Sequence, residues 1–353
     1  MKHVCISGKY ETETKYIYTR KENRRSRQII IPGVPARRDT VMPRAVRTVL
    51  HALSYGGIEV DASRKLADIK KMDPMRIFYK TLDAEVYNGD YKVPIRLFFP
   101  TEEAMENGAA SGKKPPVILF FHGGGWVTES VENYQRVCAR MAQSTGQIVA
   151  SVEYRLAPEY RFPVGLMDCY AAAKAFYTNC FLLNTDSDRI TIMGDSAGGN
   201  LAAAVCMMAR DRGEFYPKKQ ILIYPALNNC YTEKSPYRSV RENGENYLLT
   251  AVKMEDYLTL YESCAEDRNN PYFSPLMEKD YTNLPDTLIL TAEFDPLRDE
   301  GEEYGKRLKE AGNHVEIHRI SDALHGYFAL GIRFLHVQES FDIMNRFLSK
   351  GSE

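Results

Sequence analysis

The pattern of apolar and polar positions predicts a sheet from about residue 78 onward. Residues 78–87 and 91–99 alternate on either side of an Asn-Gly pair at 88–89, which is typical of a β-hairpin. Val117–Phe121 is a continuous apolar run, as expected of a strand buried on both faces of a parallel sheet. Later strands are expected near 147–152, 190–193, 219–224, 287–291 and 315–320.

Between these strands, apolar residues recur at helical spacing. The helices are expected near 133–145, 164–180, 197–211, 299–311 and 333–348. This alternation predicts an α/β fold, with a mostly parallel sheet and helices on both faces. Two further helices are expected at 43–55 and 61–72. Residues 226–283 are too long for one crossover, and their polar, tyrosine-rich stretches indicate an inserted subdomain.

Composition and charge narrow the class of protein. The chain has 353 residues, of which 44% are hydrophobic and 26% charged, as in ordinary globular proteins. Its net charge of −1 argues against a nucleic-acid partner. Residues 1–80 carry 18 Lys and Arg against 8 Asp and Glu. We interpret this basic region as a solvated face, and binding of anionic substrates is the alternative.

The remaining bulk features concern location and cysteine chemistry. The first residues hold no apolar leader, and no stretch approaches the ~18 consecutive apolar residues of a membrane span. A cytoplasmic protein without stable membrane association is therefore expected. The seven cysteines show no Cys-x-x-Cys spacing, which favours free thiols over disulfides or a metal site.

A strand, a sharp turn and a helix are predicted around Ser196. The segment Gly194–Gly198 fits the Gly-x-Ser-x-Gly nucleophile elbow, in which the serine hydroxyl is exposed on a strained turn. Glycines are needed at 194 and 198 because a Cβ would clash where the strand and helix approach. The Ala197 amide lies in the first helical turn and is a candidate oxyanion donor. The alternative is a glycine-rich helix start with Ser196 as N-cap.

An activated serine needs a base, a group that orients the base, and donors for the developing oxyanion. In parallel sheets such groups lie at the carboxyl ends of the strands. Directly after the apolar run 117–121 comes 122–126, His-Gly-Gly-Gly-Trp, which matches an oxyanion segment that pairs with the amide after the nucleophile. We expect His122 itself to hold this loop rather than to act as base.

The acid and the base are expected after two later strands. Asp295 is the expected acid because it stands at a strand-to-helix junction. Glu293 and Asp299 are the alternative acids, of which Asp299 already falls within the predicted helix. His325 lies in a loop after the last strand. The chain order Ser196, Asp295, His325 is the order of α/β-hydrolase triads.

Five motifs together resemble the hormone-sensitive-lipase-like esterases, the Gly-Asp-Ser-Ala-Gly-Gly group of bacterial carboxylesterases. They are His-Gly-Gly-Gly-Trp at 122–126, Tyr-Arg-Leu-Ala-Pro-Glu at 154–159, Gly-Asp-Ser-Ala-Gly-Gly at 194–199, Asp-Pro-Leu-Arg-Asp-Glu at 295–300 and His-Gly at 325–326. The resemblance covers roughly residues 80–350. It implies an eight-stranded α/β-hydrolase sheet with a helical cap.

The resemblance also implies a domain layout and site roles. The cap would comprise residues 1–77 and the insertion 226–283, and the catalytic domain 78–225 and 284–353. Residues 1–45 are longer and more basic than the family pattern. The nucleophile would be Ser196, the acid Asp295 and the base His325. The oxyanion donors would lie among Gly123, Gly124, Gly125 and Ala197. Of the loop glycines, the family favours Gly124 and Gly125.

These features predict a serine hydrolase of small carboxylic esters that needs no metal and no cofactor. Short acyl chains are expected, because the cap segments lack a strongly apolar amphipathic face, and the stripe in 248–264 would narrow the pocket. A sugar deacetylase or formamidase on the same fold remains an alternative, as does a non-catalytic small-molecule receptor. A homodimer is left open.

Overall fold

The computed structural model of the protein describes residues 54, 58–68, 79–107, 114–178, 183, 185–330 and 335–350. The helix expected at 43–55 lies outside these residues except for Ser54. The helix expected at 61–72 is described as Val60–Asp68, and its expected end lies outside them.

Within the described residues, eight strands form one sheet in the order β1-β2-β4-β3-β5-β6-β7-β8. Strand β2 pairs antiparallel with both β1 and β4, and every other pairing is parallel. The eight-stranded, mostly parallel sheet is therefore confirmed. The strands are β1 Thr81–Asn88, β2 Tyr91–Phe98, β3 Val117–Phe121, β4 Ile148–Val152, β5 Ile190–Asp195, β6 Lys219–Ile223, β7 Asp286–Phe294 and β8 Val315–Leu324.

The helices follow the predicted alternation with the strands. Short 3₁₀ turns lie at 187–189, 265–269, 275–277 and 327–330. The described α-helices are α1 Val60–Asp68, α2 Glu102–Asn107, α3 Val131–Thr145, α4 Val164–Thr178, α5 Ala197–Arg212, α6 Arg238–Asn243, α7 Ala251–Tyr261, α8 Arg298–Glu310 and α9 Leu335–Ser349. None of them is long and apolar enough to cross a membrane.

The core has two halves, one on each face of the sheet. Along β3, Val117, Leu119 and Phe121 belong to one apolar cluster, and Ile118 and Phe120 belong to the other. This is the period-2 alternation of a strand, here with both faces apolar. Apolar residues of α4, α5 and α8 fill the first cluster, and those of α3 and α9 fill the second.

Strands β7 and β8 extend further than the sequence predicts, to Phe294 and Leu324. Their last residues include polar side chains that interrupt the apolar runs, and the pairing register shifts between Ala292 and Phe294. The Asp322 amide, at a residue with φ 59°, donates to Glu293 Oε2 at 2.8 Å and ties the two strand ends together. As a result, Asp295 and His325 follow their strands directly.

Five of the seven cysteines are described, and all five are free thiols, as expected. Cys138, Cys169 and Cys206 are buried, and burial is the main cause of the raised pKa of each thiol. The described residues contain no group of three His, Cys, Asp or Glu side chains that could hold a metal ion.

Candidate active site

Ser196 occupies a sharp turn between β5 and α5. Its backbone has φ 56° and ψ −119°, a conformation that L residues rarely adopt. A Cβ at Gly194 would lie 2.1 Å from Gly198 O, and one at Gly198 would lie 2.0 Å from Phe121 O. The turn therefore requires glycine at both positions. Ser196 is the N-cap residue of α5 by position, but its side chain makes no capping hydrogen bond to the helix.

The structure brings Ser196, Asp295 and His325 together from three strand ends. His325 Nε2 lies 2.8 Å from Ser196 Oγ, and His325 Nδ1 lies 2.7 Å from Asp295 Oδ2. Asp295 is fully buried, and its Oδ1 accepts a hydrogen bond from Leu297 N at 2.8 Å. An ionised carboxylate can only accept, so this contact suits an imidazole that carries its proton on Nδ1 and turns a lone pair toward the serine.

The two alternative acids are engaged elsewhere. Glu293 accepts the Asp322 amide between the ends of β7 and β8. Asp299 lies in α8, where it accepts Ser239 N at 2.7 Å and pairs with Arg298 Nε at 2.8 Å. His325 is hydrogen-bonded to Asp295 and to neither of these two carboxylates.

His122 holds the glycine loop, as expected. Its side chain is fully buried, and its Nδ1 lies 2.8 Å from Gly123 O. Its ring stacks on that of Tyr154, with ring centroids 4.4 Å apart. The Tyr154 hydroxyl donates to His122 O at 2.7 Å. These contacts fix the first peptides of the loop.

Gly123 does not fit the role of oxyanion donor. Its N–H donates to Asp195 Oδ1 at 2.9 Å and is therefore already used. The three loop glycines look alike in the sequence, but only the first faces this buried carboxylate. The inclusion of Gly123 among the candidate donors is corrected by this contact.

The next two glycines are oriented by a tight turn. Gly124 O accepts hydrogen bonds from Val127 N at 3.1 Å, Thr128 N at 2.9 Å and Thr128 Oγ1 at 3.0 Å. The N–H and C=O of a trans peptide point in opposite directions, so the Gly125 N–H points away from this turn. Among the described residues, no acceptor is paired with the amides of Gly124, Gly125 or Ala197.

Asp195 connects the nucleophile turn to the glycine loop, a role that no sequence motif predicts. It accepts hydrogen bonds from Gly123 N at 2.9 Å, the Tyr134 hydroxyl at 2.9 Å and the Tyr224 hydroxyl at 3.2 Å. Burial raises the pKa of Asp195, and its hydrogen bond from Tyr134 opposes that rise. The Tyr224 ring in turn packs against His325, with ring centroids 4.7 Å apart. The sequence signal that points to this role is a charged residue directly before the nucleophile.

A second buried carboxylate, Glu300 on α8, was also missed. Its Oε1 accepts hydrogen bonds from Leu227 N at 2.7 Å, Asn228 N at 3.3 Å and the Tyr231 hydroxyl at 2.8 Å. Burial raises its pKa to about 8. Glu300 thereby fastens the chain after β6, where the insertion begins, to the helix that follows Asp295.

A cavity of about 200 Å³ opens at Ser196 and His325. Leu249, together with Met254 and Tyr257 of helix α7, forms part of its wall. No Lys or Arg is among its described lining residues. The other lining residues are Gly124, Gly125, Trp126, Glu129, Tyr134, Asp195, Ala197, Ala226, Gly326 and Ala329.

Helix α7 is fixed over this cavity at its C-terminal end. Arg161 Nη1 donates to Thr259 O at 2.9 Å and to Glu262 O at 2.6 Å, and the Tyr261 ring stacks on Trp126 at 4.6 Å. One turn earlier, the Tyr257 ring lies against the glycine loop, so a Cβ on Gly125 would fall 2.3 Å from it. The helix therefore contributes an aromatic ring to the wall of the cavity.

The fold and this site can now be compared with known proteins. A family model described as the α/β-hydrolase fold matches residues 118–329. An arylesterase of Saccharolobus solfataricus is 35% identical over 249 residues, covering 70% of this chain and 77% of that protein. An ethyl acetate hydrolase of Pseudomonas putida is 34% identical over 243 residues, covering 68% and 73%.

A solved structure agrees with the sequence comparisons. The hyperthermophilic esterase of Pyrobaculum calidifontis superimposes with a TM-score of 0.76 at 33% identity, covering 88% of this chain and 98% of that one. The chain belongs to the α/β-hydrolase fold family. Within it, the chain is one of the hormone-sensitive-lipase-like carboxylesterases that its motifs predict.

Proposed function

We propose that this carboxylesterase hydrolyses short-chain esters through an acyl-enzyme on Ser196. The observation that carries the proposal is the placement of His325 between Ser196 Oγ at 2.8 Å and Asp295 Oδ2 at 2.7 Å. A serine hydroxyl becomes a nucleophile when a neighbouring base removes its proton, and the base needs a partner that sets its tautomer.

In acylation, His325 acts first as a base and then as an acid. His325 Nε2 takes the proton of Ser196 as its Oγ attacks the ester carbonyl, and Asp295 stabilises the resulting imidazolium. The amides of Gly124, Gly125 and Ala197, which line the cavity beside Ser196, stabilise the negative charge that develops on the carbonyl oxygen. His325 then gives its proton to the leaving alcohol.

Deacylation repeats the sequence with water. His325 removes a proton from water, which attacks the acyl-enzyme, and the same amides stabilise the second oxyanion. The proton returns from His325 to Ser196 Oγ as the acid product leaves. Each step uses side chains and amides of this chain, with no metal or cofactor.

The size of the cavity supports short acyl chains. An engineered protein cavity of about 150 Å³ binds one benzene molecule, so the ~200 Å³ cavity suits an acyl group of a few carbons. The relative named an ethyl acetate hydrolase supports the same class of substrate. We propose that the insertion 226–283 forms part of a cap above it; most of the other expected part, residues 1–77, lies outside the described residues.

Acyl-chain length provides a prediction with a matched control. kcat/KM for p-nitrophenyl acetate and butyrate should exceed the values for octanoate and palmitate. Tyr257→Ala removes the ring at the cavity wall and should raise the octanoate-to-butyrate ratio of kcat/KM about tenfold, because each newly buried methylene stabilises binding by up to ~0.8 kcal/mol. The ratio cancels any loss that is common to both substrates.

The control is Val252→Ala, on the outer side of the same helix, where Val252 is 64% exposed. It should leave the ratio unchanged. A parent preference for palmitate, or a rise in rate when the substrate forms micelles, would contradict the short-chain proposal. An unchanged ratio in Tyr257→Ala would show that Tyr257 does not limit the length of the acyl chain that the cavity accepts.

A further inference from the structure

Arg64 on helix α1 reaches across to the catalytic domain with its whole guanidinium group. Its Nε donates to Val127 O at 2.9 Å, and its Nη2 donates to Ala157 O at 3.0 Å. Nη1 and Nη2 donate to Glu159 Oε1 and Oε2, each at 2.7 Å. One side chain thus joins Val127 to Ala157 and Glu159, which lie about 30 residues further along the chain.

Two of these acceptors belong to the backbone that supports the glycine loop. Val127 N donates to Gly124 O, the carbonyl whose position directs the Gly125 N–H. Ala157 N donates to Trp126 O at 2.9 Å. Arg64 therefore holds the turn 124–128 and the segment behind it at the same time. A displacement of Val127 would rotate the peptide that carries a candidate oxyanion donor.

Glu159 fixes the plane of the guanidinium. The pairing is bidentate, which gives directional as well as electrostatic selectivity. The hydrogen bond from Arg64 holds the pKa of Glu159 at about 2, below its ordinary value of 4.5. Because folding lowers the pKa of Glu159, the ion pair contributes its full stabilisation of the folded state above the ordinary pKa of 4.5. That stabilisation is lost as the pH falls through about 2. The pair is therefore intact throughout the neutral range.

We propose that Arg64 is a positioning residue for the oxyanion hole, and that helix α1 acts on catalysis by holding Val127 and Ala157 through its guanidinium. The inference rests on the proposed function, because it assigns Arg64 to the support of the amides that function requires. Arg64 itself is not among the residues that line the cavity.

The test measures kcat and KM separately for Arg64→Met. Misplacing one oxyanion donor should lower kcat between about 10- and 100-fold and leave KM within about threefold. Arg64→Lys should remain impaired, because a flexible ammonium cannot donate to three acceptors in one plane. In Arg64→Ala, added guanidinium should raise kcat, whereas added ammonium should not.

The matched control is Arg96→Met. Arg96 also pairs bidentately, with Asp83 at 2.7 and 3.1 Å, and reaches Glu132, but among the described residues it makes no hydrogen bond to the glycine loop. Its kcat should stay within about twofold of the parent. Equal losses in Arg64→Met and Arg96→Met would overturn the proposal, since they would reflect general destabilisation. So would a loss confined to KM, or an absence of guanidinium rescue.

Glu159→Gln is the variant expected to destabilise the fold least, because the Glu159 side chain is 53% exposed. It should lower kcat by a smaller factor that stays constant between about pH 6 and pH 9. Ser196→Ala is measured alongside. Activity in Ser196→Ala would reject the proposed function, whereas an inactive Ser196→Ala together with parental kcat in Arg64→Met and Glu159→Gln would reject only the role of Arg64.

Discussion

Ser196→Ala should lower kcat for p-nitrophenyl butyrate by at least about 10⁴-fold. The change removes only the hydroxyl that lies 2.8 Å from His325 Nε2, so no acyl-enzyme can form. What remains is water attack in a site that still binds substrate and holds the oxyanion donors. The midpoint of thermal unfolding should be close to that of the parent, because the turn and its glycines are unchanged.

Ser274→Ala is the control for this result. Ser274 is fully buried, and its hydroxyl has no hydrogen-bond partner among the described residues. Removing that hydroxyl should leave kcat/KM within about twofold of the parent. Activity of Ser196→Ala within tenfold of the parent would exclude Ser196 as nucleophile.

Asp295→Asn should lower kcat on the order of 10⁴-fold. The Asn carbonyl can still accept the Leu297 amide, so the shape of the turn is retained. Its NH₂ group, however, would donate to His325 Nδ1 and stabilise the tautomer that carries a proton on Nε2. That nitrogen could then no longer accept the proton of Ser196. At ~1.36 kcal/mol per tenfold, the loss corresponds to about 5 kcal/mol of activation free energy.

Asp299→Asn and Glu293→Gln are the controls. Both carboxylates lie near Asp295 in the chain and bind other groups, Ser239 and Arg298 in one case and Asp322 in the other. Each variant should keep kcat within about tenfold of the parent. If Asp299→Asn proves the more costly change, the acid has been assigned to the wrong carboxylate.

The central strands could be predicted from the sequence because each contains a short run of apolar or β-branched residues. Val117–Phe121 and Ile190–Asp195 lie in the middle of the sheet, where neither face reaches water. The full length of β8 could not be predicted, because its end carries polar residues that the register shift and the Glu293–Asp322 contact accommodate. Such contacts join residues that are far apart in sequence and leave no local pattern.

The same distinction holds for the site. Asp295 was preferred over its acidic neighbours because it stands at the strand end, and the structure pairs it with His325. The roles of Gly123, Asp195 and Arg64 depend on contacts that span 29 to 95 residues. No spacing rule predicts them. Motifs therefore predicted which groups meet at Ser196, and the fold was needed to show what holds them.

The most direct test of the central claim is covalent labelling of the nucleophile. The parent is treated with a fluorophosphonate, digested and mapped by mass spectrometry, with His325→Ala treated in parallel. We predict one adduct per chain on Ser196, formed much more slowly in His325→Ala because the base that activates the hydroxyl is missing. The proposed mechanism would be contradicted if Ser196 stayed unlabelled in the folded parent. It would also be contradicted if another residue were labelled as fast as Ser196.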